Sequence, residues 1–261
     1  MNYRDLVNII EGIAPNEAYR EIDNSGEQIY VGKDDVNRVL VCLEINQAVM
    51  DEAVSKNVDM ILTHHPLIFN PEKFINYEDY PGRYIQDAIK NNINVYSAHL
   101  SFDFAPKGNN VYIAQLLGIE LDEGGSMAEG YYGTFKTINR LSFNDVCNIV
   151  KENLNLPDNY IRCVDGGKDH LCKVGLCTGA GGSYIFDAAK RGCDVFITGD
   201  LRLHEAQYAK AMGMSVIDAG HYGTEKIFAE NMARQLQAKA AEKGVDIDVI
   251  MAEADTNPYT L

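Results

Sequence analysis

The chain repeats itself, and that repeat limits the folds open to it more than any other feature. Setting Asp59 on Asp194, an offset of 135 residues, aligns residues 38–63 with 173–198 without a gap. Val39 falls on Val174, Cys42 on Cys177, Ala53 on Ala188 and Thr63 on Thr198. In the first copy a buried strand, Val39-Leu40-Val41-Cys42-Leu43, precedes a helix over about 46–56. A second apolar run then extends from Val58 to Thr63. The next strand also has a counterpart, Val95–Ala98 on Val216–Ala219, at an offset of 121. Apolar runs alternating with helices point to parallel strands covered on both faces. A repeat of this kind implies a duplicated α/β unit.

The remaining segments fit that plan. Residues 3–13 present Leu6, Ile9, Ile10 and Ile13 on one helical face, and Pro15 ends the helix. Helices are predicted over 82–91, 108–117, 142–154 and 224–240, with a strand at Ile93–Ala98 and a short strand in the tail. Between the copies the texture changes: Gly124-Gly125, Gly130 and Gly133 surround a Tyr-rich strand signal. The expected division is therefore a first α/β repeat over 1–120, a small α+β insertion over 121–170, and a second repeat over 171–261. Its sheets are expected to be mixed and mostly parallel.

Charge and cysteine usage exclude several classes of function. The 261 residues carry a formal net charge of −15, and no run of five basic residues occurs. Such a chain lacks the electrostatic footprint for nucleic acid or an anionic membrane. No stretch approaches the 18 or so apolar residues of a membrane span. The six cysteines form no C-x-x-C pair, which suggests a reducing cytoplasm without a disulfide framework.

Ligands of parallel α/β sheets bind at the carboxyl ends of the strands, so those ends show where chemistry belongs. The apolar run of the first copy ends in His64-His65, and Pro66 prevents its continuation. The following strand ends in Ala98-His99 and reaches Asp103 four residues on. In the second copy the matching ends are Gly199-Asp200 and Gly220-His221, with Glu225 four residues after His221. Three histidines and two carboxylates at strand ends suit two divalent cations. Two ions about 3.5–4 Å apart acidify a shared water and clamp substrate oxygens. The turn Thr178-Gly179-Ala180-Gly181-Gly182-Ser183 reads either as a phosphate cradle or as glycines permitting a tight bend.

Two long motifs make a resemblance specific. Ile61-Leu62-Thr63-His64-His65-Pro66-Leu67-Ile68-Phe69 and Ala219-Gly220-His221-Tyr222-Gly223-Thr224-Glu225 resemble the signatures of a dinuclear-metal family. That family is known as GTP cyclohydrolase 1 type 2, or NGG-interacting-factor-like. The similarity continues through Asp23-Asn24-Ser25-Gly26, Ser97–Asp103 and Ile197-Thr198-Gly199-Asp200. It implies metal ligands at His64, His65, Asp103, His221 and Glu225, with Glu225 bridging. It also implies intertwined repeats and a ring-shaped homohexamer. This chain carries Ile22 where the family usually has Trp, and it contains no tryptophan.

The function expected is that of a cytoplasmic, metal-dependent hydrolase of a small molecule. The substrate is GTP, through water attack at guanine C8 and release of formate, or a phosphoester. Its cofactors are two divalent ions per chain, and the mixed imidazole and carboxylate donors suit Zn, Fe, Mn, Co or Ni. His99 and His204 are candidates for proton transfer; His99 can instead support a ligand through a hydrogen bond. The competing expectation is a metal-binding, ring-shaped interaction protein that turns over nothing.

Overall fold

The computed structural model describes residues 1–17, 19, 21–121, 131–135 and 141–259, so Gly124, Gly125 and Gly130 lie outside the described residues. Residues up to 108 hold α1 (Tyr3–Ile13), β1 (Gly26–Ile29), β2 (Arg38–Cys42), α2 (Gln47–Ser55), β3 (Met60–Thr63), α3 (Gly82–Lys90), β4 (Asn94–Ser97) and α4 (Leu100–Asp103). Next come α5 (Asn109–Leu116), β5 (Ile119–Leu121), β6 (Tyr131–Phe135), α6 (Phe143–Asn153), β7 (Arg162–Val164) and β8 (Lys173–Leu176). They are followed by α7 (Ile185–Lys190), β9 (Val195–Thr198), α8 (Leu203–Ala211), β10 (Ser215–Asp218) and α9 (His221–Glu225). The chain finishes with α10 (Phe228–Glu242) and β11 (Asp248–Met251).

Two compact units emerge: Met1–Gly108 with Ile227–Pro258, and Asn109–Lys226 with Tyr259–Leu261. The first holds a five-stranded sheet ordered β1-β4-β3-β2-β11, parallel except for β1. The second holds a six-stranded sheet ordered β5-β6-β8-β9-β10-β7, in which β8, β9 and β10 are parallel. This partition differs from a boundary at 120 and 170, because α10 and β11 pack within the first unit. There β11 pairs in parallel with β2, from Asp248↔Arg38 to Met251↔Val41. Helix α10 buries Phe228, Met232 and Leu236 and packs on β2, β11 and α1. The single helix predicted over 224–240 is interrupted: α9 ends at Glu225, and α10 begins at Phe228.

Each parallel ladder follows the offsets read from the sequence. Leu40 pairs with Ile61 in the first unit, and Gly175 pairs with Phe196 in the second. Thr63 pairs with Ser97, and Thr198 with Asp218. The corner that opens each ladder is also duplicated. Asp59 accepts the backbone N–H groups of Asn37 and Arg38 at 2.7 and 2.9 Å and pairs with Lys33 at 2.5 Å. Asp194 accepts from Cys172 and Lys173, both at 2.9 Å, and pairs with Lys168 at 2.6 Å. Burial raises the pKa of each carboxyl. The lysine and the two N–H donors outweigh it and hold both groups below the usual carboxylate range.

Alternation along the strands builds the cores. In the first unit Leu40, Cys42, Ile61 and Val95 meet Val49 and Met50 of α2 and Ile85 and Ala88 of α3. In the second, Phe196 and Val216 meet Ile185 and Ala188 of α7 and Ala209 of α8. Among the described residues, no helix is long and apolar enough to cross a membrane. All six cysteines are free thiols.

Candidate metal centre

In the first unit, β3 ends where its ladder ends, and the backbone itself aims the two histidines. The N–H of His64 points to the carbonyls of Cys42 and Leu43, and that of His65 donates to Leu43 at 2.9 Å. The Thr63 hydroxyl closes the turn by donating to the His65 carbonyl at 2.8 Å. His64 is fully buried, packed on the Phe228 ring with centroids 4.9 Å apart. Its Nδ1 lies 2.9 Å from the Ala98 carbonyl, so Nδ1 carries the hydrogen and Nε2 keeps its lone pair. That Nε2 is 3.6 Å from Oδ1 of the buried Asp103 on α4.

His99 joins this pair. Its Nδ1 is 2.7 Å from Oδ1 of Asp23, and its backbone N–H donates to the Ser25 hydroxyl at 3.1 Å. Burial works to raise the Asp23 pKa. Hydrogen bonds from His99, Ser25 and the Leu100 N–H outweigh that effect and lower it to about 2. A carboxylate held ionised in this way fixes the imidazole tautomer and directs Nε2 outward. His64, His65 and His99 each offer one ring nitrogen, and the three atoms lie within 4.8 Å of one another. Glu44 stands beside this set, with Oε2 3.6 Å from Nδ1 of His65.

The second unit repeats the device with different residues. Nδ1 of His221 is 2.8 Å from Oδ2 of Asp200, and its Nε2 is 2.9 Å from Oε2 of the buried Glu225. With the Nδ1 hydrogen given to Asp200, an imidazole lone pair faces a carboxylate oxygen. Those two groups repel unless a proton or a metal cation lies between them. This donor set therefore fits a cation. Gly179 provides the room: its φ is +64°, and a Cβ there would stand 2.2 Å from Oε1 of Glu225 and 3.2 Å from Nε2 of His221.

In the glycine-rich turn, protein acceptors occupy three of the amides, as a tight bend requires. Thr178 N–H donates to Asn110 Oδ1, Gly179 N–H to Thr224 Oγ1 and Gly181 N–H to Thr198 Oγ1. His204 is exposed on the first turn of α8 and, among the described residues, joins no group of metal-capable side chains. Sequence reasoning gave Asp23 no role of its own. Its contact with His99 spans 76 residues, and no local periodicity encodes it.

The family model Duf34/NIF3 (NGG1p interacting factor 3) matches residues 1–258. This chain is a member of that family. A Streptococcus pneumoniae protein named GTP cyclohydrolase 1 type 2 homolog is 34% identical over 263 residues, covering 98% of this chain and 97% of its own. The Protein NIF3 homolog of Schizosaccharomyces pombe is 30% identical and covers 98% of this chain and 96% of its own. Among solved structures, a Bacillus cereus protein related to NIF3 superposes with a TM-score of 0.88 at 22% identity, covering 100% of this chain and 99% of its own. That likeness concerns the fold alone. The Duf34/NIF3 fold here is the duplicated, mostly parallel α/β architecture, with His, Asp and Glu clusters able to hold a metal.

Proposed function

We propose that this Duf34/NIF3 chain is a hydrolase that works with two divalent metal ions per chain. Its ligands are His64, His65 and Asp103 in the first unit and His221 and Glu225 in the second. One observation carries the reading. His64 and His221 each have Nδ1 turned to a protein oxygen, which leaves the Nε2 lone pair directed at a carboxylate. Structural histidines have no need for two such matched arrangements, whereas metal-ligating histidines adopt this one routinely. Bound divalent ions would acidify water and polarise the substrate bond.

The protein's own residues do the rest. Backbone bonds fix the main chain at His64 and His65, and the Ala98 carbonyl holds the His64 imidazole. Asp23 gives His99 a fixed tautomer and aims its Nε2, which suits His99 to pass a proton to the leaving group. The name of the curated relatives points to GTP as substrate, with opening of the guanine ring at C8 and loss of formate. A phosphoester uses the same donors.

Elemental analysis of reconstituted, desalted protein tests the reading together with turnover of GTP and a phosphoester panel. Near two ions per chain, fewer in Glu225→Gln, and metal-dependent product support it. Ions without turnover on either class would instead favour a metal-binding interaction protein, in keeping with the family's name. No bound ions would overturn both.

A further inference from the structure

Phe69 is 63% exposed, so burial gives little reason for its presence. Yet the chain just before it is fastened with unusual care. The Ile68 N–H donates to Oε1 of Gln28 at 3.1 Å, and the Ile68 carbonyl accepts from Nδ2 of Asn24. Nε2 of Gln28 in turn donates to the Asn24 carbonyl at 2.7 Å, which locks the clamp. The neighbouring residue Asp23 holds His99. One short segment, Asp23 to Gln28, therefore holds the imidazole and fastens the backbone that leads into Phe69. The two ring centroids are 6.1 Å apart, and their planes cross at 72°.

Two planar groups at such an angle form a corner. An aliphatic ligand gains nothing from it, but a planar ring can lie on one face and meet the other group through its edge. We propose that Phe69 is the surface on which a heteroaromatic ring of the substrate stacks, beside His99. The substrate class is then a nucleobase-like heterocycle and not a simple sugar phosphate or aliphatic amide. This deepens the hydrolase reading and rests on it for the word substrate, but ring binding can be measured without turnover.

The chain has no tryptophan, so Phe69→Trp places a single indole at the site. Its fluorescence is read during titration with GMP, with ribose 5-phosphate and with hexanoate, using Phe186→Trp on α7 as the remote control. Saturable quenching by GMP at position 69 alone, with both other probes silent, is the expected result. Equal response to all three probes, or none to GMP at millimolar concentration, would overturn the stacking role. Equilibrium dialysis of GMP against wild type and Phe69→Ala provides a second measure, with roughly tenfold weaker binding expected in the variant. Unchanged GMP binding in Phe69→Ala would also overturn it. Metal content is measured on the same samples: missing ions would remove the hydrolase reading, while quenching still decides the role of the ring.

Discussion

The two units share a backbone plan but differ in what they place on it. Both run a strand–helix–strand ladder in the same register, and both open it with an aspartate clamped by a lysine and two amides. At the carboxyl ends the chemistry diverges. Positions 64 and 65 are histidines in the first unit, and their counterparts at the 135-residue offset are Gly199 and Asp200. Glu44 stands beside His65, and its counterpart is Gly179, whose missing side chain makes room for Glu225. The comparison teaches that the scaffold residues follow the repeat while the donors do not. Register depends on backbone pairing, which a duplication copies whole. A donor depends on one side chain at one rim, which can change without disturbing the ladder.

The largest effect should come from removing a donor in either unit. His64→Ala and His221→Ala should each lower metal content and reduce turnover on the order of 10³-fold, read by elemental analysis and steady-state kinetics. If only one of them does so, the two units do not contribute equally. A sharper contrast comes from the paired positions 179 and 44. Gly179→Ala drives a methyl into Glu225 and should weaken metal binding roughly 10–100-fold in a chelator competition, whereas Glu44→Ala should change it much less. Orienting carboxylates form the next pair. Asp23→Asn should cost more turnover than Asp200→Asn, because Asp23 is buried with three donors while half of the Asp200 side chain is exposed.

Smaller effects test the scaffold. Asp59→Ala and Asp194→Ala should each destabilise by about 1–3 kcal/mol in urea unfolding at neutral pH. Both carboxyls have folded pKa values below their unfolded ones, so the stability they add is complete above pH ~4. It fades as pH falls through the folded values, and each variant's deficit should narrow below pH ~4. His204→Gln is expected to change turnover least, about twofold at most, given its exposed place on α8.

These contrasts also explain what the sequence could reveal. The ladders were readable because β2, β3, β8 and β9 are nearly continuous apolar runs, buried on both faces. His64, His65, His99 and His221 were readable as strand-end residues, since a parallel sheet fixes which rim is used. Strands β1 and β7, with sequences Gly-Glu-Gln-Ile and Arg-Cys-Val, are short edge strands whose polar residues hide any period. The tautomer-fixing roles of Asp23 and Asp200 depend on contacts 76 and 21 residues away in the chain. Helix α10 carries an apolar stripe that suits any sheet, and only the pairing of β11 with β2 determines which one it covers.

That pairing has a consequence for biosynthesis. Arg38 and Asp248, which bond across the β2–β11 edge, are separated by 210 residues, and all of Asn109–Lys226 lies between the two parts of the first unit. Closing so long a loop adds little to the equilibrium cost, which grows only with the logarithm of its length. Timing is affected more. On the ribosome, all of Asn109–Lys226 emerges before the first unit has the helix and strand that complete it. The unit begun first therefore waits for the bulk of the other. Until α10 and β11 arrive, the open edge of β2 and the uncovered face meant for α10 are the surfaces a chaperone has most reason to shield.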